Sequence, residues 1–302
     1  MQKKRNFILV IMLMALPVLG FGQYFKIDSA YVLEDLRKLS HDAAEGRKTG
    51  TNGAEAARRF ISKQMDAIGV KKFEKKYRHD FSFTTRDGDK MEGVNIIGYI
   101  KGNASDSAFV ITAHYDHLGV VGEDIYNGAD DNASGVAALL AIMEYFQTHT
   151  PRHNIVFAAL DAEEMGLQGA KALIADSSRV PMELVKLNIN MDMISVSDKY
   201  ELYAAGTSHY QKLKPLLERA EMTGGVKLKF GHDTGEGSDN WTYSSDHGPF
   251  HQAGIPFVYF GVEDHENYHK PTDTFENVHK KFYVNSVNSI LNCIISLDVN
   301  LN

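Results

Sequence analysis

The sequence predicts an α/β protein with a largely parallel sheet covered on both faces, and three observations lead there. Short apolar runs rich in β-branched residues recur along the chain, amphipathic helical segments lie between several of them, and no repeat, low-complexity linker or composition shift marks a second domain. An apolar content of 43% over 302 residues allows a sizeable core in one large domain.

The elements follow in chain order. The opening MQKKRNFILVIMLMALPVLGFGQ has three basic residues, an apolar run from Phe7 to about Leu19, then Gly20 and Gly22. It is too short and wrongly flanked for a spanning helix and reads as a secretory signal peptide over residues 1–22, leaving 23–302 as a single domain; an uncleaved membrane anchor is the alternative. No cysteine follows the apolar run, which excludes lipid attachment there. From Gly53, GAEAARRFISKQMDAIG places Ala57, Phe60, Ile61, Met65 and Ile68 on one helical face, with Gly69 where a helix would stop. GVNIIGYI (93–100) and FVITA (109–113) read as strands, and Val136, Leu139, Leu140, Met143 and Phe146 form one helical stripe after Ser134. NIVFAAL (154–160) and LNINM (187–191) are further strands, with a helical candidate, GLQGAKALIAD (166–176), between them. HYQKLKPLLERAE (209–221) is another helical candidate, IPFVYFG (255–261) is a strand, and SILNCIISL reads as a buried helix face holding the one cysteine, Cys293.

One cysteine makes a disulfide framework impossible, and its apolar setting reads as core rather than as a reactive thiol. The formal net charge is −7, and −10 once the three basic residues of 1–22 are removed. Such an acidic exported chain is a poor match for nucleic acid or for an anionic membrane by bulk electrostatics, so neither is expected as a partner after signal cleavage.

Sites in open α/β sheets form beyond the carboxyl ends of the strands. FVITA runs into HYDHLG, giving His114 and Asp116; NIVFAAL into DAEEMG, giving Asp161, Glu163 and Glu164; LNINM into Asp192; and FVYFG into VEDHENYH, ending at His269. GADDNASG, 128–135, adds Asp130 and Asp131 ahead of a helix. Carboxylates packed together repel and raise one another's pKa, and divalent cations would relieve this. A nitrogen and oxygen donor set without a usable thiolate suits zinc, with manganese or cobalt as less favoured occupants. Asp116 is placed to accept the second ring N–H of His114, Asp130 has two oxygens with which to bridge two ions, and adjacent Glu163 and Glu164 would divide the roles of base and ligand. Each piece alone has a plainer reading: Asp130 and Asp131 as helix N-terminal carboxylates, the glutamates as a solvated loop pair, Asp192 as a strand end, His114 as a satisfied histidine. Their recurrence at successive strand ends favours the metal.

AHYDHLG, YNGADDNASGVAALL, AALDAEEMGLQGA, NINMDM, SSDHGPFHQAGIPFVYF and NYHKPTDTFENV, in this order, closely resemble the co-catalytic di-zinc aminopeptidases of the bacterial leucyl-aminopeptidase type over about residues 93–280. The resemblance implies a single α/β domain with a mixed, mainly parallel sheet of about eight strands between helices. It implies two Zn2+ per chain, with Mn2+ or Co2+ as substitutes: His114 and Asp192 on one, Glu164 and His269 on the other, and Asp130 bridging them with a cis peptide to Asp131. Glu163 would be the general base and Asp116 the partner of His114. The implied reaction is hydrolysis of the first residue from peptides whose free α-amine is anchored beside the metals, through a water the ions activate. Tyr243, near the SDH block, is the candidate oxyanion donor, with packing as its other reading. The run GHDTGEGSDNW, 231–241, reads as a loop over the cleft or as a surface turn. The oligomeric state is left open, with a monomer slightly favoured.

Three alternatives stand beside this reading. A glutaminyl cyclase shares the fold but typically works with one zinc and lacks a doubled aspartate like Asp130-Asp131; a carboxypeptidase of the same clan usually carries an inserted domain; a binding relative without catalysis would have lost ligands. HENYH, 265–269, also matches the HExxH pattern, in which two histidines one helical turn apart face one metal. A strand precedes it and Pro271 follows closely, so no helix is expected, leaving His269 as a ligand and His265 and Glu266 as loop residues near the rim.

Overall fold

A computed structural model describes residues 27–301, and the signal peptide expected over 1–22 lies outside them. Asp28 caps helix α1 (Ser29–Leu39) by accepting the Ala30 N–H, and a 3-10 turn over Asp42–Arg47 leads into α2 (Asn52–Ile68). Thr51 caps α2 through the Ala54 N–H, and Gly69 ends it at φ 85°, a conformation that favours glycine. Then come β1 (Lys71–Lys72), β2 (Arg78–Thr84), β3 (Lys90–Ile100), β4 (Ala108–His114), the hairpin of β5 (Gly119–Val121) and β6 (Asp124–Tyr126), and α3 (Gly135–Thr148). The remainder is β7 (Asn154–Leu160), α4 (Gln168–Ala175), β8 (Val185–Met191), β9 (Glu201–Ala205), α5 (Lys214–Leu217), β10 (Lys227–Phe230), α6 (His247–Gln252), β11 (Phe257–Gly261) and α7 (Lys280–Asn300).

Among the described residues the main sheet has nine strands, in the order β1-β3-β7-β4-β8-β11-β9-β10 with β2 also paired to β3. The central block β7-β4-β8-β11 is parallel, and antiparallel pairs flank it at β3–β7 and β11–β9. From β4 the chain crosses by α3 to β7 on one side, then returns by α4 past β4 to β8 on the other. Right-handed crossovers running in opposite directions put their helices on opposite faces, which makes the carboxyl end of β4 a switch point where a cleft opens. Strand alternation sorts the core accordingly: Phe109, Ile111 and Ala113 pack with residues of α1, α2, α3 and α7, whereas Val110 packs with Ala170 and Leu173 of α4 and Phe250 of α6. Cys293 lies fully buried on α7, and burial pushes its thiol up to about 12.

The helix expected over 209–221 shrinks to α5. Pro215 has no N–H to give a preceding turn and is tolerated only at a helix start, so 209–213 bend through turns instead, Tyr210 N–H reaching Gly206 O and Leu213 N–H reaching Tyr210 O. The strands not expected, β1, β2, β5, β6, β9 and β10, are short, half-exposed or carry charged residues, as Lys227 and Lys229 do in β10.

One buried cation ties the N-terminal segments to the end of the sheet that matters. Arg47 is fully buried, with Nε donating to Tyr115 O at 2.7 Å, Nη1 to Leu39 O at 2.7 Å and Asn127 O at 2.6 Å, and Nη2 to Gly128 O at 2.8 Å. Burial pulls its pKa down to about 10, still a cation at neutral pH. Arg47→Leu would leave these buried carbonyls without their donors, at about 1–3 kcal/mol each. We expect a loss of several kcal/mol in a denaturant titration; a midpoint equal to wild type would show the loops to be held by other contacts.

Candidate metal centre

Each site residue arrives on its own loop. β4 ends at His114 and turns through Tyr115, whose buried hydroxyl donates to Val94 O at 2.8 Å. Beyond β7, Asp161 is taken up by Thr49 Oγ1, the Val94 N–H and Arg58, and the chain turns at Ala162 (φ 58°) to set out Glu163 and Glu164. β8 runs directly into Asp192, and the loop after β11 reaches His269. The Asp130-Asp131 turn begins at Gly128, at φ 53°, where an added Cβ would run into Asp131 O and the His117 ring, so glycine is what lets this turn close onto the cleft.

Two clusters result. In the first, His114 Nε2 lies 3.2 Å from Asp192 Oδ1 and 3.4 Å from Asp131 Oδ1. In the second, His117 Nδ1 lies 2.8 Å from Glu164 Oε1 and 3.6 Å from Asp131 Oδ2, while His269 Nε2 lies 3.1 Å from Asp131 Oδ2 and 3.5 Å from Glu164 Oε2. The donor atoms of His114, Asp131 and Asp192, and those of His117, Asp131 and Glu164, each fall within 4.8 Å of one another. Glu163 lines the same cavity, of about 250 Å³, with Met193, Trp241, Tyr259, Val262 and Tyr268 along its wall.

A file of buried hydrogen bonds between β4 and β8 ends on Asp192. Asn188 donates to Thr112 Oγ1 (3.1 Å), Thr112 to Asn190 Oδ1 (2.7 Å), Asn190 to Ser245 Oγ (2.9 Å) and Ser245 to Asp192 Oδ2 (2.6 Å), which leaves Oδ1 for the cleft. Burial pushes the Glu163 and Asp116 carboxyls well above the usual range and raises Asp131 and Glu164 as well. Burial opposes the charge on His114, yet the Asp192 and Glu163 carboxylates beside it hold its pKa well above the ordinary value. Burial would likewise raise Asp192, but His114 and the Ser245 hydroxyl outweigh it and hold the carboxyl low. His117 is pushed down to about 3 by burial, and its Nε2 has no hydrogen-bond partner. Buried carboxylates with raised pKa values and a neutral imidazole, grouped as two sets of nitrogen and oxygen donors, fit divalent cations, zinc in particular.

The structure brings His114, Glu163, Glu164, Asp192 and His269 together, and it departs from the sequence expectations at several points. Asp131, and not Asp130, faces both clusters. Asp130 turns away because its Oδ1 accepts the Ser195 N–H at 2.7 Å and its Oδ2 faces His265 Nε2 at 3.0 Å. The cis peptide accordingly falls at Asp131–Asn132, one residue beyond the expected Asp130–Asp131. His114 Nδ1 lies 3.1 Å from the backbone carbonyl of Asp116, whereas the Asp116 carboxylate accepts the Glu163 N–H at 3.0 Å and the Glu164 N–H at 3.2 Å. Asp116 therefore shapes the glutamate turn as well, while its Oδ1 stays 3.7 Å from His114 Nδ1, so it faces the imidazole through both its carbonyl and its carboxylate. Tyr243 is 61% exposed with its ring toward His251, and it does not line the cavity, because its short 3-10 turn (Trp241–Tyr243) points Trp241 inward instead. HENYH is a turn, with the Tyr268 N–H on His265 O and His269 at φ 54°, so its two histidines share no helical face. His117 was missed by sequence reasoning, although its place three residues after His114 in HYDH was a legible signal. Asp131→Asn should therefore strip metal from both clusters, whereas Asp130→Asn should lower the melting temperature and keep the metal; elemental analysis of dialysed protein showing the reverse would restore Asp130 as the shared ligand.

The profile of peptidase family M28 matches residues 95–294. Aminopeptidase YwaD of Bacillus subtilis (strain 168) is 31% identical over 183 residues, covering 57% of this chain and 37% of that protein. The alkaline phosphatase isozyme conversion protein of Escherichia coli (strain K12) is 27% identical over 167 residues, covering 51% and 48%. The chain thus spans less than half the length of these curated relatives. Among solved structures, BSAP, a zinc aminopeptidase from Bacillus subtilis, superposes with a TM-score of 0.72 at 17% identity, covering 89% of this chain and 95% of that one. An Acidobacteriales bacterium glutaminyl cyclase superposes with a TM-score of 0.75 at 20% identity, covering 94% and 99%. At these identities the structural likeness is one of fold, while the family match extends over more than half of the sequence: the chain belongs to peptidase family M28.

Proposed function

We propose that the protein is an exported, metal-dependent aminopeptidase that removes the first residue of peptides, with Glu163 as its general base. The observation that carries this is the Asp131 carboxylate, whose two oxygens lie 3.4 Å from His114 and 3.1 Å from His269, so that one side chain would serve two cations. Two bound zinc ions would polarise the scissile carbonyl and bring the pKa of a water near neutrality. His114 and Asp192 would hold one, and Glu164 and His269 the other, with His117 Nδ1 beside Glu164 Oε1 at 2.8 Å in that second cluster. Glu163 takes the proton from the attacking water and returns it to the leaving amine. Asp116 fixes the backbone of Glu163 and Glu164 so that the two side chains diverge, one to the proton and one to the metal. The cavity is small beside the roughly 300–1,000 Å³ of most ligand pockets, which suits one terminal residue better than a chain passing through. Export to the periplasm or the medium rests on the basic and then apolar run within residues 1–22.

Glu163→Gln should keep the metal content and the melting temperature while kcat falls by about 10²–10⁴-fold; near-normal turnover would remove Glu163 from the base role. A panel of aminoacyl chromogenic substrates with N-blocked controls tests the reaction class. Free-amine substrates should be cleaved and blocked ones not, and equal rates on both would end the aminopeptidase reading. Cyclisation of an N-terminal glutaminyl peptide with release of ammonia, in place of hydrolysis, would assign the site to glutaminyl cyclase chemistry.

A further inference from the structure

Asp273 lies four residues beyond His269 in the same loop and is buried. Its Oδ1 accepts the Asp130 N–H at 2.9 Å, its Oδ2 accepts the Asp131 N–H at 3.0 Å, and its backbone carbonyl accepts the Ala129 N–H at 3.1 Å. Three consecutive amides of the turn that presents Asp131 therefore converge on one residue, as backbone N–H groups do around an anion. The carbonyl side of that turn is held from elsewhere, by Arg47 on Asn127 O and Gly128 O. The loop of Asp273 grips the turn a second time through His265 on Asp130 Oδ2.

We propose that Asp273 is a positioning residue for the two-cation site: by taking both aspartate amides in one carboxylate, it sets the spacing between the shared Asp131 carboxylate and the His269 imidazole. This rests on the metallopeptidase reading above. Of the four ligands around Asp131, His269 is the one delivered by the same loop as Asp273, and it is also the most exposed, with 40% of its side chain open to solvent. Its ring stacks on Tyr268 of the same loop, centroids 4.0 Å apart, so its place relative to Asp131 follows the loop that the clamp holds, and the Glu164–His269 position is the one that should loosen when the clamp is cut. A carboxylate is what the geometry asks for. Two N–H groups point at it, and an amide of the same shape offers one acceptor and sets an NH2 against the other N–H.

The test compares wild type, Asp273→Asn and, as a control in the same loop, Lys270→Met, by zinc content after dialysis and by affinity in competition with a chromophoric chelator. The melting temperature of the metal-free proteins reports the fold, and the visible spectrum on titration with Co2+ reports the ligand geometry. Wild type and Lys270→Met should hold two equivalents. Asp273→Asn should hold one tightly and the second at least about tenfold more weakly, with an altered spectrum for the second cobalt, and excess zinc should restore kcat. Two equivalents of unchanged affinity and spectrum in Asp273→Asn would overturn the positioning role alone; a wild type that retains no divalent cation would overturn it together with the metallopeptidase reading. Wild type supplies an arm that no folding failure can obscure: in metal-free protein the Asp130 and Asp131 amides should stay protected from hydrogen exchange, and rapid exchange there would mean that the metal, and not Asp273, orders the turn.

Discussion

Five carboxylates, Asp116, Asp131, Glu163, Glu164 and Asp192, share one end of the parallel block with three imidazoles, and keeping so much like charge out of water is the constraint the surrounding structure answers. The answer is a set of aimed donors. Asp116 receives two amides of the glutamate turn, Asp192 receives the Ser245 hydroxyl at the end of a file of buried side chains, and the neighbouring Asp130 receives the Ser195 amide. Arg47, the buried cation nearby, gives its N–H groups to carbonyls and leaves the carboxylates facing the cleft. A site so arranged resists rearrangement, and the carboxyls whose pKa burial raises are those a divalent cation would hold ionised.

Topology decides where such a site can stand. Because the chain crosses from β4 to β7 on one side and from β7 back past β4 to β8 on the other, the loops after β4, β7, β8 and β11 rise from adjacent strands at one end of the sheet, and each is rooted in a strand that is almost wholly buried. The chemical groups therefore sit on short loops with rigid bases, which is how a cluster gathered from distant parts of the chain keeps its geometry.

Much of this was legible beforehand, for identifiable reasons. The central strands announce themselves as apolar runs because both of their faces are covered, and reading the polar residues that follow each run leads to His114, Glu163, Glu164, Asp192 and His269. The flanking strands are half exposed and escape the same pattern. The choice between Asp130 and Asp131 was not legible, since two identical neighbours differ only in backbone orientation, and that orientation is set by Asp273, 142 residues away from Asp131. The second part played by Asp116 was hidden similarly: besides facing the histidine two positions earlier at 3.7 Å, its carboxylate meets two amides brought up by another strand. Pro215 should have warned against a long helix around it, and nothing in the sequence distinguishes the outward Tyr243 from the inward Trp241.

The pairing of β4 has a kinetic side. Ile111 sits between Phe157 of β7 and Ile189 of β8, partners that lie well downstream in the chain, and β11, later still, docks between β8 and β9. Contacts of such sequence separation require large loops to close before they are rewarded, so this topology folds slowly compared with local helical bundles. Asp131, Glu164 and His269 come within reach of one another only after the last of these pairings, and no early fragment of the chain possesses the centre.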